Sequence, residues 1–539
     1  MTTEAQKFAQ TLKKIGIRYV FGVPSGSMID YMEAIRETDG IDFVLVSHEA
    51  GAGFMASVCG RLTQIPGACF ATFGPGATNV STGVGAALLD RTPVLVFADE
   101  MPEKKRYRCV QMNIDQAALF KPLTKWTTRL IPGKVGKTLF AAAAIAVKNL
   151  PGPVYAGVPS DIGSRESLEP DQPWLKVPEI MPADPSAINA MQDAVSKAKK
   201  PVLVLGLLAA QSNLRSLIQE VMERFQLPVV LTPMAKGIIS EEHPLYAGVL
   251  NHALANIVGK THSQADLVIG IGYDPVEVNY EDWVPFVPIV HISTVPADLD
   301  TDSHTLAADV VGNMKTSLLA LMDLFPVKHQ WDLKALISRK KKMFAALTPA
   351  HGSFGPLAVL QGLREILPFD GILTCDVGAH LHLIGQFWPT PEPDCLLMTN
   401  GWSSMGFSIP AAIAAKLCRP DKQVACVVGD GGFLMTAGEL ATAQRLCLHI
   451  VFILLSDSEL SLIRIKQKHK HYEAGYGTLL FEQGLSISEM FLGIPVLSVS
   501  DPAEYEAALK KAFCLSGPVI IHAKISSAEY NDLVLKGNK

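Results

Sequence analysis

Residues 424–433 read VACVVGDGGF, an apolar run that passes directly into a glycine-rich turn. The run predicts a buried strand, and the spacing of apolar residues from Met435 to Leu446 predicts a helix after the turn. Glycines at such a turn let the backbone approach a ligand closely, and the free amides at the helix start favour an anion such as a diphosphate. Asp430 would face the same anion, which requires a cation between them, and magnesium suits that role.

A second acidic residue follows the next apolar run. Residues 450–455 read IVFILL and are followed by Ser456-Asp457-Ser458-Glu459, so that Asp457 lies 27 positions after Asp430. A bare Gly-Asp-Gly is also typical of a simple tight turn. The additional carboxylate at the end of the next strand makes a metal and diphosphate site the more specific interpretation.

The rest of the chain repeats the same alternation of strand and helix. Short runs rich in Val, Ile and Leu alternate with longer helical patterns from end to end, which is typical of parallel sheets with helices on both faces. Weakly patterned stretches at 160–185 and 348–355 separate three units. We therefore predict an α/β protein of three consecutive doubly wound parallel-sheet domains, at 1–165, 185–335 and 355–539.

Composition places the chain among globular enzymes. Of its 539 residues 48% are hydrophobic and 18% charged, the net charge is −5, and no basic tail or stripe indicates a nucleic-acid partner. No apolar stretch is long enough to cross a membrane. The nine cysteines form no Cys-x-x-Cys pair, and the first residues carry no export or import signal, so we predict a reduced, cytoplasmic protein.

These motifs resemble those of a known enzyme family. Gly429-Asp430-Gly431, a helix with Glu-Leu-x-Thr-Ala at 439–443 and the strand ending at Asp457 resemble the thiamine-diphosphate signature. Residues 47–56, SHEAGAGFMA, are similar to the segment with the family's activating glutamate. The chain resembles, over nearly its full length, the thiamine-diphosphate-dependent acetolactate synthases, pyruvate oxidases and 2-oxo acid decarboxylases, and most of all flavin-free acetolactate-synthase-like proteins. That resemblance implies pyrimidine-binding, central and diphosphate-binding domains, in that order.

The resemblance also implies a set of site residues. Glu49 would protonate the pyrimidine ring and so activate the cofactor. The metal ligands would be Asp430, Asp457 and the backbone carbonyl of Glu459. The other residues implied to contact the cofactor are Gly74, Asn79, His380, Ser403, Met405, Gly429, Gly431 and Gly432 together with Asp457. The residues implied near the substrate are Ser27, Gln111, Leu462 and Lys466.

Some positions depart from the family pattern or allow a second interpretation. Asp457 stands where the commoner form has asparagine, which keeps a ligand oxygen, and Ser403 stands at a glycine position. His380 either donates to phosphate or packs as an ordinary core histidine. Lys466 stands where relatives carry tryptophan or glutamine, and it either holds a substrate carboxylate or is simply a solvated helix lysine.

The implied cofactors are thiamine diphosphate and Mg²⁺. FAD is not expected, because residues 270–277 and the nearby Trp283 resemble flavin-free synthases and the Arg-Phe-Asp-Asp-Arg segment of flavin-containing ones is absent. In this branch the cofactor lies between the domain of Glu49 in one subunit and the domain of Asp430 in another. The minimal assembly would therefore be a homodimer, and a homotetramer is expected.

Three functions remain open at this point. The first is non-oxidative decarboxylation of a 2-oxo acid, with pyruvate expected, followed by carboligation to a second 2-oxo acid. The second is a simple 2-oxo acid decarboxylase that releases an aldehyde. The third is a catalytically idle homologue that only binds the cofactor, and the joint presence of Glu49, Asp430, Asp457 and Met405 argues against it.

Overall fold

The computed structural model describes residues 1–173, 179–277, 287–300, 302, 304–324, 329–350 and 352–534. Three sheets with intervening helices organise these residues, which confirms the predicted class of three parallel-sheet α/β domains. The predicted domain limits stay a prediction, and Trp283 lies outside the described residues. None of the helices in the described ranges has the length and apolar character that crossing a bilayer requires.

The first sheet has six parallel strands in the order β2-β1-β3-β4-β6-β5. Its strands are β1 Tyr19–Gly22, β2 Asp42–Leu45, β3 Gly67–Ala71, β4 Val94–Glu100, β5 Trp126–Arg129 and β6 Pro153–Pro159. The accompanying helices are α1 Glu4–Ile15, α2 Ile29–Arg36, α3 Glu49–Thr63, α4 Pro75–Leu89, α5 Gln116–Phe120 and α6 Val135–Val147. The 3-10 turns are Gly26–Met28, Glu103–Lys105 and Lys121–Leu123.

The second sheet also has six parallel strands, in the order β12-β11-β10-β7-β8-β9. They are β7 Pro201–Leu205, β8 Val229–Leu231, β9 Tyr246–Val249, β10 Leu267–Ile271, β11 Ile289–Ser293 and β12 Leu306–Val311. The helices of this region are α7 Pro185–Lys197, α8 Leu207–Gln211, α9 Arg215–Phe225, α10 Ala255–His262, α11 Met314–Met322 and α12 Leu333–Ala346. Its 3-10 turns are Pro233–Ala235 and Pro275–Glu277.

The third sheet has the order β14-β13-β15-β16-β19-β18-β17, and its edge strands β17 and β18 pair in antiparallel orientation. The strands are β13 Ile372–Cys375, β14 Leu396–Leu397, β15 Val424–Gly429, β16 Ile450–Ser456, β17 Met490–Phe491, β18 Ile494–Val499 and β19 Val519–Lys524. The helices are α13 Pro356–Ile366, α14 Ala379–Phe387, α15 Ser408–Cys418, α16 Asp430–Thr436, α17 Leu440–Arg445, α18 Ser461–His469, α19 Pro502–Cys514 and α20 Ala528–Leu533.

Two compact units emerge when residues are grouped by proximity. The first comprises Met1–Pro178, Trp402–Asp421 and Met435–Ile450. The second comprises Glu179–Gly401, Lys422–Leu434 and Val451–Lys539. Helices α15 and α17 therefore belong with the first sheet, although their neighbours in sequence belong with the third.

The helix after the opening motif differs from its prediction. It begins directly at Asp430, where β15 ends, rather than at Met435, and a 3-10 turn at Ala437–Glu439 interrupts it before α17. An acidic residue in the first helical turn is favourable because it faces the positive end of the helix dipole. Apolar spacing could not reveal this start, because Gly-Asp-Gly-Gly carries no apolar periodicity.

Candidate active site

The first half of the candidate site lies at the start of α3. Strand β2 ends at Leu45 and α3 begins at Glu49, with His48 as the N-terminal cap. His48 Nδ1 accepts a hydrogen bond from the backbone N–H of Ala50 across 3.1 Å. Glu49 is only 8% exposed, so its carboxylate is presented at the end of a parallel strand while being largely withdrawn from bulk water.

Two predicted site residues meet here. Asn79, one turn into α4, donates from Nδ2 to Glu49 Oε2 across 3.0 Å. The first turn of α4 also lies close, because a Cβ placed on Gly76 would be 3.1 Å from Glu49 Oε1. The structure therefore brings Glu49 and Asn79 into one polar cluster. The absence of a side chain at Gly76 leaves space beside Glu49 Oε1.

Gly74 shapes the loop before α4. Its φ is +69°, a left-handed conformation that favours glycine, and an added Cβ would lie 2.4 Å from the carbonyl oxygen of Met112. Its N–H donates to Gln116 Oε1 across 3.2 Å. A side chain at this position would displace the loop from its neighbours.

Asp99, at the carboxyl end of β4, supports the same loop. Its Oδ2 accepts from the hydroxyls of Ser25, at 2.8 Å, and Ser27, and its Oδ1 accepts from the N–H of Phe73 at 2.5 Å. Burial raises the pKa of Asp99, and the hydrogen bonds from the Ser25 hydroxyl and the Phe73 amide oppose the rise. Sequence analysis had named Ser27 but missed Asp99, although a carboxylate at the end of an otherwise apolar strand was the available signal. Gln111, by contrast, is exposed in a turn.

The loop with Ser403 and Met405 packs against the two helices that carry Glu49 and Asn79. The ring of Trp402 lies over Gly85 of α4, where an added Cβ would be 2.7 Å from the indole. Phe407 packs edge-on against Phe54 of α3, with ring centroids 5.8 Å apart. Ser403 has φ 50°, a conformation that a glycine adopts without strain, which accounts for glycine at this position in the family pattern.

The second half of the candidate site centres on Asp430, which is 2% exposed. Its Oδ2 accepts from the backbone N–H of Asp457 at 3.0 Å and of Ser458 at 2.6 Å. Its Oδ1 is buried without any hydrogen-bond partner. Burial raises the pKa of Asp430, and hydrogen bonds from Ser458, Ser456 and Asp457 oppose the rise. An unpartnered buried carboxylate oxygen is costly unless a cation or donor occupies the place beside it.

Asp457 lies directly after β16 and next to Asp430. Its Oδ1 accepts from the N–H of Glu459 across 3.3 Å, and Ser461 donates its hydroxyl to Oδ2. Burial first, then the charges of Asp430 and Glu459, raise its pKa to about 6 against the effect of those hydrogen bonds. A buried carboxylate beside a half-buried one favours a divalent cation, because a cation offsets both the burial cost and the mutual repulsion.

The side chain of Glu459 turns away from this pair. Its Oε1 accepts from Thr478 Oγ1 across 2.7 Å, and Arg464 lies 3.8 Å from the same oxygen. The predicted metal contact was to the backbone carbonyl of Glu459, which this side-chain arrangement leaves unaffected. Among the described residues no group of three or more His, Cys, Asp or Glu side chains gathers into a metal site.

His380 and the glycines complete the diphosphate side. A Cβ on Gly429 would lie 3.3 Å from His380 Cε1, and a Cβ on Gly432 would lie 2.8 Å from the carboxyl carbon of Asp376. Burial lowers the pKa of His380 to about 4, so its imidazole is neutral at pH 7. His380 Nε2 is buried with no partner. The turn at residues 429–432 is therefore closely packed, and the nitrogen without a hydrogen-bond partner, His380 Nε2, belongs to a side chain beside it.

The predicted substrate residues of α18 occupy two different environments. Leu462 packs against buried core residues of its unit. Lys466 is exposed, and its charge contributes to lowering the pKa of His382, after burial as the main cause. Their contact with a substrate stays a prediction.

Three family models match the chain. They are the N-terminal TPP binding domain of thiamine pyrophosphate enzymes at residues 2–119, the central domain at 188–321 and the C-terminal TPP binding domain at 376–523. The chain belongs to the thiamine pyrophosphate enzymes. Within this family it is similar to an acetolactate synthase of Bacillus subtilis, with 28% identity over 98% of this chain and 93% of that protein.

Two further relatives carry related names. The acetolactate synthase isozyme 1 large subunit of Escherichia coli is 28% identical over 98% of this chain and 94% of its own length. A catabolic acetolactate synthase of Raoultella terrigena is 26% identical over 96% of this chain and 94% of its own length. The similarity between this chain and the acetolactate synthases thus extends across all three domains.

Proposed function

We propose that this thiamine pyrophosphate enzyme is a magnesium-dependent, flavin-free acetolactate synthase. It would decarboxylate a 2-oxo acid, pyruvate, and join the resulting two-carbon unit to a second 2-oxo acid. The observation that carries the proposal is the full-length similarity to proteins named acetolactate synthase, in a chain whose Glu49 and Asp430 are buried and hydrogen-bonded as the chemistry requires.

The residues around Asp430 fit a magnesium diphosphate. The unpartnered Oδ1 of Asp430 and the carboxylate of Asp457 would bind the ion, together with the carbonyl of Glu459. Magnesium is commonly held by one or two carboxylates plus phosphate oxygens, so a site with few protein carboxylates suits it. The imidazole of His380 is neutral at pH 7, and with its hydrogen on the buried Nε2 it would donate to a phosphate oxygen. Gly429, Gly431 and Gly432 would let the backbone approach the phosphates.

The residues around Glu49 fit the pyrimidine half. Bound thiamine diphosphate supplies a carbon nucleophile and accepts the electrons left by decarboxylation. Glu49 would hold a proton on the pyrimidine ring, and Asn79 would keep its carboxylate in one orientation. Gly74 and Ser403 would provide backbone contacts to the cofactor, and Met405 would pack against it. The low exposure of Glu49 strengthens the proton-bearing hydrogen bond that this role demands.

The proposal extends to substrate, assembly and location. Ser27, Gln111, Leu462 and Lys466 are the residues proposed to contact substrate, and Ser27 is already oriented by its hydrogen bond to Asp99. A homodimer is the proposed minimal assembly and a homotetramer the proposed complete one, with each cofactor held between the Glu49 domain of one subunit and the Asp430 domain of its partner. The nine free thiols fit a cytoplasmic location.

Product identification tests this function. Purified protein is incubated with Mg²⁺, thiamine diphosphate and pyruvate, without FAD, and products are identified by mass spectrometry. Acetolactate formation that stops when Mg²⁺ is chelated is the expected result. Acetaldehyde as the main product would instead make the chain a decarboxylase. No turnover of any compound in a panel of 2-oxo acids, despite bound cofactor, would contradict both and favour the idle homologue.

A further inference from the structure

Glu439 makes an unusual set of contacts for a side chain outside the two halves of the site. It lies at the end of the 3-10 turn Ala437–Glu439 and is 1% exposed. Its Oε1 accepts from the backbone N–H groups of Ser47, at 3.1 Å, and His48, at 3.0 Å. Its Oε2 accepts from Thr442 Oγ1 at 2.9 Å. The two amides belong to the residues immediately before Glu49.

The fit around this carboxylate is tight. An added Cβ on Gly51, in the first turn of α3, would lie 2.4 Å from Glu439 Oε1. Ser47 also donates its hydroxyl to the carbonyl of Gly438 across 2.7 Å. The start of α3 is therefore held from outside the helix by one neighbouring turn, with no room for a side chain between them.

The electrostatics favour this arrangement. Burial raises the pKa of Glu439, while the Ser47 amide, the Thr442 hydroxyl and the His48 amide stabilise the charged form. Amide hydrogen bonds to a carboxylate are about twice as strong as neutral ones, and a negative charge beside a helix start also interacts favourably with the helix dipole. The contact therefore resists displacement of residues 47 and 48.

We propose that Glu439 is a positioning residue for Glu49. By binding the two preceding amides it sets where α3 begins, and hence where the Glu49 carboxylate points. This inference rests on the proposed function for its catalytic consequence. Its structural part, the placement of the start of α3 by Glu439, can be measured without any cofactor.

Glu277 provides a matched control elsewhere in the chain. It is 3% exposed and accepts from the N–H of Leu207 at 2.8 Å, the N–H of Met234 at 2.9 Å and Thr232 Oγ1 at 2.7 Å. Its donors are thus the same in kind and number as the nearest donors of Glu439. A purely structural role would give Glu439→Gln and Glu277→Gln the same effects on activity.

The first measurement is amide hydrogen exchange of the cofactor-free protein, followed by mass spectrometry of peptides covering residues 45–56. Glu439→Gln is expected to speed exchange there by at least about five-fold, because replacing a charge-assisted hydrogen bond by a neutral one weakens it by about 1 kcal/mol, and that energy corresponds to about five-fold. Glu277→Gln should leave these peptides unchanged. Unaltered exchange in Glu439→Gln would overturn the proposal, whatever reaction the wild type catalyses.

The second measurement concerns cofactor activation. In Glu439→Gln, kcat and the rate of deuterium exchange at C2 of thiamine diphosphate should both fall about 10- to 100-fold with little change in KM, because small misplacement of a catalytic group has effects of this size. Rates equal to those of Glu277→Gln would overturn the catalytic part. If the wild type itself neither binds nor activates the cofactor, the proposed function fails, while the exchange at 45–56 still decides whether Glu439 places α3.

A third variant tests the same contact with Glu439 unchanged, in case Glu439→Gln does not fold. Gly51→Ala places a Cβ of α3 against Glu439 Oε1 and so displaces the carboxylate from the amides of Ser47 and His48. It should reproduce both the faster exchange at 45–56 and the lower kcat. Wild-type values for both in Gly51→Ala would count against the positioning role.

Discussion

Asn79 donates its side-chain amide to Glu49 across 3.0 Å, so that a residue of α4 orients the carboxylate at the start of α3. We expect Glu49→Gln to lower kcat by about 10²- to 10⁴-fold, because a positioned acid or base contributes that much to a rate. The glutamine amide has the same size as the glutamate side chain but cannot donate an acidic proton to the pyrimidine ring. Steady-state turnover of pyruvate measures the effect, alongside the amount of thiamine diphosphate bound after gel filtration.

Asn79→Ala is the control for this prediction. It removes one hydrogen bond to the carboxylate but leaves the acid itself, so a smaller loss of about 10- to 100-fold is expected from the value of a charge-assisted hydrogen bond. Both variants should still retain cofactor. Wild-type turnover in Glu49→Gln would show that activation does not begin at this carboxylate.

Asp430→Asn should separate stability from cofactor binding. In the cofactor-free protein the buried Asp430 carboxylate has one unpartnered oxygen, so a neutral amide is expected to leave Tm unchanged or raise it. With Mg²⁺ and thiamine diphosphate at about 100 times their Kd, binding should stabilise the wild type by about 2.7 kcal/mol and the variant far less. Differential scanning fluorimetry with and without the ligands measures both effects. An equal ligand-induced rise in Tm would rule out Asp430 as the metal ligand.

Gly432→Ala should disrupt the diphosphate turn. The new Cβ would lie 2.8 Å from the carboxyl carbon of the fully buried Asp376, so either the side chain or the turn must move. We expect a loss of about 1–3 kcal/mol in the free energy of unfolding, as for other overpacked sites, and weaker cofactor retention. Gly259→Ala in α10 is the control, because nothing lies within 4 Å of its Cβ, and alanine there should stabilise by about 0.5–1 kcal/mol. Equal Tm values for the two variants would contradict the packing argument.

The fold was predictable because its signals are local. Strands such as β7 and β10 are buried along their whole length and read as continuous apolar runs. Parallel strands put the residues that follow them at one edge of a sheet, which is why Asp430 and Asp457 could be expected together. Their contact is confirmed by the hydrogen bond from the Asp457 N–H to Asp430.

The contacts of Asp99 and Glu439 were not predicted, although Glu439 stands in the Glu-Leu-x-Thr-Ala motif, and the reason is physical. Their partners are remote in sequence, since Ser27 lies 72 positions from Asp99 and Ser47 lies 392 positions from Glu439. Neither pairing produces a local pattern, and several of the donors, the amides of Phe73, Ser47 and His48, are backbone groups that every residue type except proline provides. The 3-10 turn that carries Glu439 was likewise hidden, because apolar spacing over 435–446 is compatible with one continuous helix.

Cys59 and Cys418 should form a disulfide under oxidation. Their sulfur atoms lie 2.9 Å apart, although the residues are 359 positions apart in sequence. The hydrogen bond from Cys59, followed by the charge of Arg419, lowers the pKa of the half-buried Cys418 thiol and favours its reactive thiolate. Hydrogen peroxide would take one hydrogen from each thiol to give the disulfide and two waters, joining α3 to α15 and raising Tm.

Non-reducing peptide mapping after peroxide treatment checks this bridge. Cys59→Ser should abolish the crosslinked peptide, whereas Cys447→Ser, which removes an exposed thiol, should leave it intact. Full alkylation of both Cys59 and Cys418 after treatment would contradict the prediction.

The stability of the central domain should depend on pH because of Glu277. Burial raises its pKa from 4.5 to about 7, against the hydrogen bonds from Thr232, Met234 and Leu207. Between these two values the folded protein holds a proton that the unfolded chain has released, so the contribution of Glu277 to stability is complete below about pH 4.5 and is lost as the pH rises towards 7. Over this window the wild type should lose on the order of 3 kcal/mol relative to Glu277→Gln, which carries no titrating group. Thermal unfolding of both proteins from pH 4.5 to 8 measures the difference, and a Tm gap that stays constant with pH would show that Glu277 is ionised in the folded protein throughout.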